Sequence, residues 1–65
     1  MARIIVAIVG EDGTLSGDSV CDIGDAASAS GAVRVARDAG YRVAAAEVYR
    51  DHAGSWVVVA RGRRV

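Results

Sequence analysis

The chain has 65 residues, one cysteine, no proline and a formal net charge of zero, its eight basic positions balanced by eight acidic ones. That length leaves room for one domain with a thin core, because a chain of this size buries only about 60% of the surface its unfolded form exposes. A lone Cys21 excludes an internal disulfide, and with His52 as the only histidine a structural zinc site is excluded too, so a reducing cytosolic setting is expected.

The longest unbroken apolar run, Ile4 to Val9, is far short of the roughly 20 residues that cross a bilayer, and the N-terminus lacks the pattern of a signal peptide. A soluble, unexported protein is the expectation. The charges are sorted along the chain. From Ile4 to Val33 every charged residue is acidic, whereas arginines dominate from Arg34 onward and lysine is absent throughout.

Arg3 to Val9 is β-branched and apolar on both alternating faces, which predicts an interior strand covered on each side. Gly10-Glu11-Asp12-Gly13 ends it with a strong turn signal. Thr14 to Gly24, whose sizeable apolar residues are Leu15, Val20 and Ile23, reads either as a loop holding a short extended or helical piece, which is the favoured form, or as a short second strand around Ser19 to Ile23 folding back on the first.

Asp25 to Ala39 is an amphipathic helix, with Ala29, Ala32, Val33 and Ala36 forming one apolar stripe and Arg34, Arg37 and Asp38 opposite it. Asp25 is the expected N-cap, and Gly40 suits the left-handed residue just past the end. Tyr41 to Arg50 alternates as a strand with one wetter face bearing Arg42 and Arg50, although Ala44 to Ala46 are poor strand formers. Asp51-His52-Ala53-Gly54 is a four-residue hairpin connection, Ser55 to Arg61 a strand apolar on both faces, and Gly62 to Val65 a fraying tail.

The order strand, helix, strand, strand predicts a small α+β domain spanning residues 1–65. Its antiparallel sheet has the last strand between the other two and one helix packed on one face, as in half of a ferredoxin-like fold. One helix covers only one face of such a sheet. At about 25 cal/mol per Å², a few hundred Å² of open apolar strand forgoes several kcal/mol, so the second face calls for a cover: the loop at 14–24, a second copy, or a partner protein. The chain is thus expected to be a monomer or a homodimer.

Recognised chemical signatures are incomplete. Gly10, Gly13 and Gly17 miss the dinucleotide pattern, and no lysine exists to complete a phosphate loop. Asp12 to Ile23 has the spacing of a calcium loop with Gly17 sixth, yet Ile23 stands where the bidentate glutamate is required. Cys21 and His52 lack a third group to orient them as nucleophile and base. No catalytic residue, metal site or cofactor is therefore expected.

The candidate contact residues are the acids Glu11, Asp12, Asp18, Asp22 and Asp25, which on one loop form a negative patch for an arginine- or lysine-lined partner. Tyr49 and Trp56 are candidate aromatic anchors, with Tyr41 on the face of Tyr49 by parity. The alternative is a small nucleic-acid-binding module using Arg42, Arg50, Arg61, Arg63 and Arg64, against which stands a pI near 6.5.

From MARIIVAIVGEDGTLSG through AGYRVAAAEVYRDHAGSWVVVARGRRV the chain resembles the very small anti-CRISPR proteins of phages and mobile elements, those acting on type I systems, including type I-C, above all. The resemblance covers the whole chain and rests on no shared motif. It implies a non-enzymatic inhibitor in the cytoplasm of a bacterial host cell that sits on a Cascade subunit and blocks target-DNA binding, through an acidic surface. The acids from Glu11 to Asp25 suit that role, and the arginine-rich second half departs from uniform acidic mimicry of DNA.

Overall fold

A computed structural model describes residues 1–10 and 15–62, with only the backbone of residues 15–19 and 21. The elements are β1 (Ala2–Val9), β2 (Leu15–Ala26), α1 (Ala29–Asp38), β3 (Val48–Arg50) and β4 (Trp56–Ala60). They form a small α+β fold, a four-stranded sheet in the order β2-β1-β4-β3 with α1 on one face. β4 lies between β1 and β3, as the strand patterns predict.

Two expectations are corrected together. Residues 15–24 are not a loop: the alternative of a strand folding back on the first is what is found, longer than Ser19 to Ile23, as most of the twelve-residue β2, antiparallel to β1. Consequently the order is β-β-α-β-β rather than β-α-β-β, and the sheet is mixed rather than antiparallel. The added strand carries the chain back to the end of the sheet where β1 began, so every later element runs opposite to the predicted sense. β4 then arrives parallel to β1, pairing Ile4 with Trp56 and Ile8 with Ala60.

β2 hides from a periodicity reading because it is bulged. Arg3 faces Asp25 and Ile5 faces Cys21, so four steps along β2 match two along β1. Asp22 takes φ 59° and Gly24 φ 150° within this irregularity. The bulge lets Val20 and Ile23, three apart, both pack against the core, where strict alternation would send them to opposite faces.

The helix starts later than predicted. Asp25 is in β2, and the N-cap is Ser28, extended at φ −147° and ψ 163°, whose hydroxyl accepts from the Gly31 N–H at 3.2 Å. The C-terminal end matches expectation. Gly40 has φ 97°, its N–H donates to Arg37 O and the Tyr41 N–H to Ala36 O, which is the paired bonding of a Schellman cap.

The predicted strand from Tyr41 shrinks to Val48–Arg50. Arg42 still pairs through its backbone with Arg61 and Gly62, but Ala44 to Ala46 make a turn closed by Glu47 N–H to Ala44 O. This segment is tied to the helix by Arg37, whose Nε and Nη2 both donate to Val43 O, at 3.0 and 2.7 Å. The hairpin connection is as predicted, with Asp51 Oδ1 accepting from the N–H groups of Ala53 and Ser55.

Ala32, Val33 and Ala36 of α1 lie over Ile4, Val6, Val58 and Ala60, and Ile4, Val6 and Val58 are fully buried. Burial of each of these three side chains contributes about 1.5–3 kcal/mol. β2 approaches closely because residue 24 is glycine: a Cβ there would meet Val35 Cγ1 at 3.2 Å.

The Gly40 position tests the cap in isolation, since nothing lies within 4 Å of where a Cβ would sit. Gly40→Ala is expected to cost about 1 kcal/mol of left-handed backbone strain alone, lowering Tm by roughly 4–8 °C. A thermal melt followed by circular dichroism checks this, and an unchanged midpoint contradicts the cap.

Candidate functional site

The alternation that sends Ile4, Val6, Val58 and Ala60 under the helix sends their neighbours to the other side. There Ile5 pairs with Val57 and Ala7 with Val59, while Tyr49 stands beside Val57 on the outer strand. Together with Val9 these residues form an apolar face opposite α1. Ile5, Ala7, Val9, Val57 and Val59 are each part exposed, and Tyr49 is 56% exposed. Among the described elements none covers this side, so the mismatch of apolar strand surface and helical cover expected from the sequence is present.

Two ion pairs are found near the face among the described residues. Arg3 Nη1 lies 3.5 Å from Asp22 Oδ1 with both side chains exposed. Past the ends of β3 and β4, Arg61 donates through Nε and Nη2 to Glu47 Oε1 at 3.0 and 2.8 Å. The other oxygen, Glu47 Oε2, is buried without a hydrogen-bond partner. This carboxylate belongs to a cleft of about 350 Å³ lined also by Arg37, Tyr41 and Arg42.

The candidate acids separate into two groups. Glu11 and Asp12 lie outside the described residues, as does the side chain of Asp18, whose backbone is in β2. Asp22 and Asp25 are exposed near the C-terminal end of β2, both beside Arg3: one in its ion pair, the other opposite it in register. The glycine and calcium-loop patterns fall partly on residues 11–14, outside the described set.

Tyr41 and Tyr49 do not share a face. Tyr41 is only 3% exposed, drawn under the helix end by the Schellman cap. Trp56 lies on the helix side, where its Nε1 donates to Ala26 O at 3.0 Å and Arg50 stacks 4.6 Å from its ring centroid. Its polar atom and one ring face thus serve internal contacts, whereas Tyr49 presents its ring outward.

Cys21 and His52 belong to opposite margins of the sheet, one in β2 and the other in the turn after β3. Three strand spacings, about 14 Å, separate those margins. Among the described residues no group of three or more His, Cys, Asp and Glu is placed to hold a metal ion, and no helix is long and apolar enough to cross a membrane.

Of the basic alternative's residues, Arg50 donates to Gly54 O at 2.7 Å and Arg61 is held by Glu47, while Arg42 is exposed. Arg63 and Arg64 lie outside the described residues. No family model matches the chain, and comparison with curated proteins and with solved structures finds no match.

The open face was legible as two strands apolar on both sides, but its outer member Tyr49 required the true strand boundaries. The two aromatic residues are expected to behave differently. Trp56→Phe should lose about 1 kcal/mol by leaving the Ala26 carbonyl without its donor, whereas Tyr49→Ala should stay within about 0.5 kcal/mol of the parent. Urea unfolding of both variants checks the contrast, and equal losses contradict it.

Proposed function

We propose that the chain is a non-enzymatic protein-binding domain that docks through the open face of its sheet. The observation that carries this reading is the row Ile5, Ala7, Val57, Val59 and Tyr49, an apolar patch on paired strands with the Arg3–Asp22 ion pair beside it. Such a patch has the anatomy of an interface, an apolar centre within a polar border. Tyr49 is its natural anchor, being large, amphipathic and outward-facing.

In the more specific form suggested by the anti-CRISPR resemblance, the docked partner is a subunit of a type I Cascade complex, and docking blocks target-DNA binding. Asp22 and Asp25 then lie at the border of the contact, where carboxylates steer encounter with a basic surface. The nucleic-acid reading draws less support, because Arg50 and Arg61 are engaged within the molecule.

A gel-shift assay of target DNA with purified type I Cascade tests the specific form. The expected result is loss of the shifted band at an equimolar amount of the chain. Replacing Glu11, Asp12, Asp18 and Asp22 by neutral residues should weaken the inhibition, and Tyr49→Asp should weaken it about tenfold or more. An unaltered shift at large excess of the chain rejects the Cascade reading, and unaltered inhibition by the two variants rejects the surfaces named here. Direct binding of the chain to the DNA, falling steeply with salt, would favour the nucleic-acid alternative.

A further inference from the structure

We propose that the cleft between the end of α1 and the 41–47 segment is a binding site for the phosphate group of a small phosphomonoester. None of its lining residues belongs to the row Ile5, Ala7, Val57, Val59 and Tyr49, so the inference goes beyond the docking reading and does not rest on it. The cleft has a volume of about 350 Å³, in the lower part of the range that small-molecule sites occupy. Arg37, Arg42 and Arg61 line it with a single carboxylate, Glu47, and Val43 and Ala44 form part of the rest. These three guanidiniums come from separate parts of the chain: the last turn of α1, the segment after it, and the residue that follows β4.

Charge selects the ligand. Three positive groups against one negative leave the cleft with a formal +2. Glu47 accepts from Arg61 and from no other arginine, and Arg37 directs its two bonds to a neutral carbonyl, Val43 O. Among the described residues the Arg42 side chain has no hydrogen bond or ion pair. Two cations therefore face the cleft without a counter-charge in contact. The negative pole of α1 offsets them by only about half an elementary charge, and Asp38 lines a neighbouring cleft rather than this one. A phosphomonoester carries about −1.5 to −2 near neutral pH and matches that excess, whereas a phosphodiester supplies about one charge.

Two of the three forks are set before a ligand arrives. Arg37 commits Nε and Nη2 to Val43 O, and Arg61 commits the same two atoms to Glu47 Oε1, which fixes both planes and leaves each Nη1 as a donor. Arg42, exposed, supplies the adaptable third. Donors already held in place lose little freedom on binding, and planar forks suit the oxygens of a phosphate. Val43 and Ala44 offer an apolar wall to the uncharged part of the ester.

Titration of the isotope-labelled protein with methyl phosphate and, separately, dimethyl phosphate tests the site by NMR, because the two probes differ in the second charge. Methyl phosphate is expected to give saturable shifts at the Nε–H signals of Arg37, Arg42 and Arg61 with a Kd of about 1 mM or tighter, and dimethyl phosphate to bind about tenfold or more weakly. Arg42→Gln should weaken methyl phosphate by about tenfold or more. Ala44→Glu, which adds a carboxylate to the cleft wall, should abolish binding. Both residues are exposed, and an unchanged circular dichroism spectrum verifies that the variants fold. Arg34→Gln, outside the cleft, should bind like wild type. Absence of saturable shifts up to about 10 mM methyl phosphate, equal binding of the two esters, or folded cleft variants that bind like wild type overturns the proposal. Glycerol phosphate and a terminally phosphorylated oligonucleotide carry the same group and separate its sources. Equal affinities support the small ester, and an oligonucleotide that binds about tenfold or more tightly than glycerol phosphate overturns the small-molecule assignment in favour of a nucleic-acid end.

Discussion

The packing of one small-residue helix against one side of the sheet is the interaction from which the rest of this structure follows. Ala32, Val33 and Ala36 bring α1 close to Ile4, Val6, Val58 and Ala60, and Gly24 lets β2 come close to Val35. Short side chains make that approach possible and leave little to reach around the sheet margins. Trp56, the largest ring, is turned to the same side, where it ties the end of β2 to β4 through the Ala26 carbonyl. The buried core is therefore one-sided. Ile5, Val57 and Val59 are left with backbone pairing and, among the described elements, no layer above them.

What was legible in the sequence, and what was not, divides along the same physical line. Features set by local chemistry were readable: the apolar β1, the Ala32, Val33 and Ala36 stripe, the left-handed Gly40 and the Asp51 to Gly54 connection. The N-cap was displaced because Asp25 and Ser28 are both good capping residues, and only the strand pairing of Asp25 opposite Arg3 decides between them. β2 was obscured because a bulge changes the spacing of its core residues from two to three. That single omission inverted the direction of everything after it, which is why an antiparallel sheet was expected and a β1–β4 parallel pair is found.

The site follows a different rule. That apolar strand surface exceeds helical cover depends only on counting faces, so it survived an error in topology. Which residues crown that surface depends on where strands begin and end. Tyr41 and Tyr49 are eight apart and share parity in an unbroken strand, but the turn at Ala44 to Ala46 breaks the strand and the Schellman cap draws Tyr41 into the core. The acids show the same limit. Proximity in sequence brings Asp22 and Asp25 to one end of β2, yet Arg3 from the neighbouring strand tempers the negative field they make there.

The distribution of charge is fixed by the same packing. Arg37, Arg50 and Arg61 each direct two contacts inward: to Val43 O by two nitrogens, to Gly54 O and the Trp56 ring, and to Glu47 by two nitrogens. In these three the guanidinium fork staples segments outside the regular strands, the 41–47 stretch, whose backbone bonds to β4 and the chain after it at Arg42 and Glu47, and the β3–β4 turn. The arginines that look like a nucleic-acid surface in the sequence are thus partly spent on holding the sheet's margin in shape. Charge borders the molecule, one helix closes one side, and the uncommitted apolar area is concentrated on the other. Covering that side would bury apolar surface without breaking any of these contacts, which is the physical ground of the docking reading proposed for it.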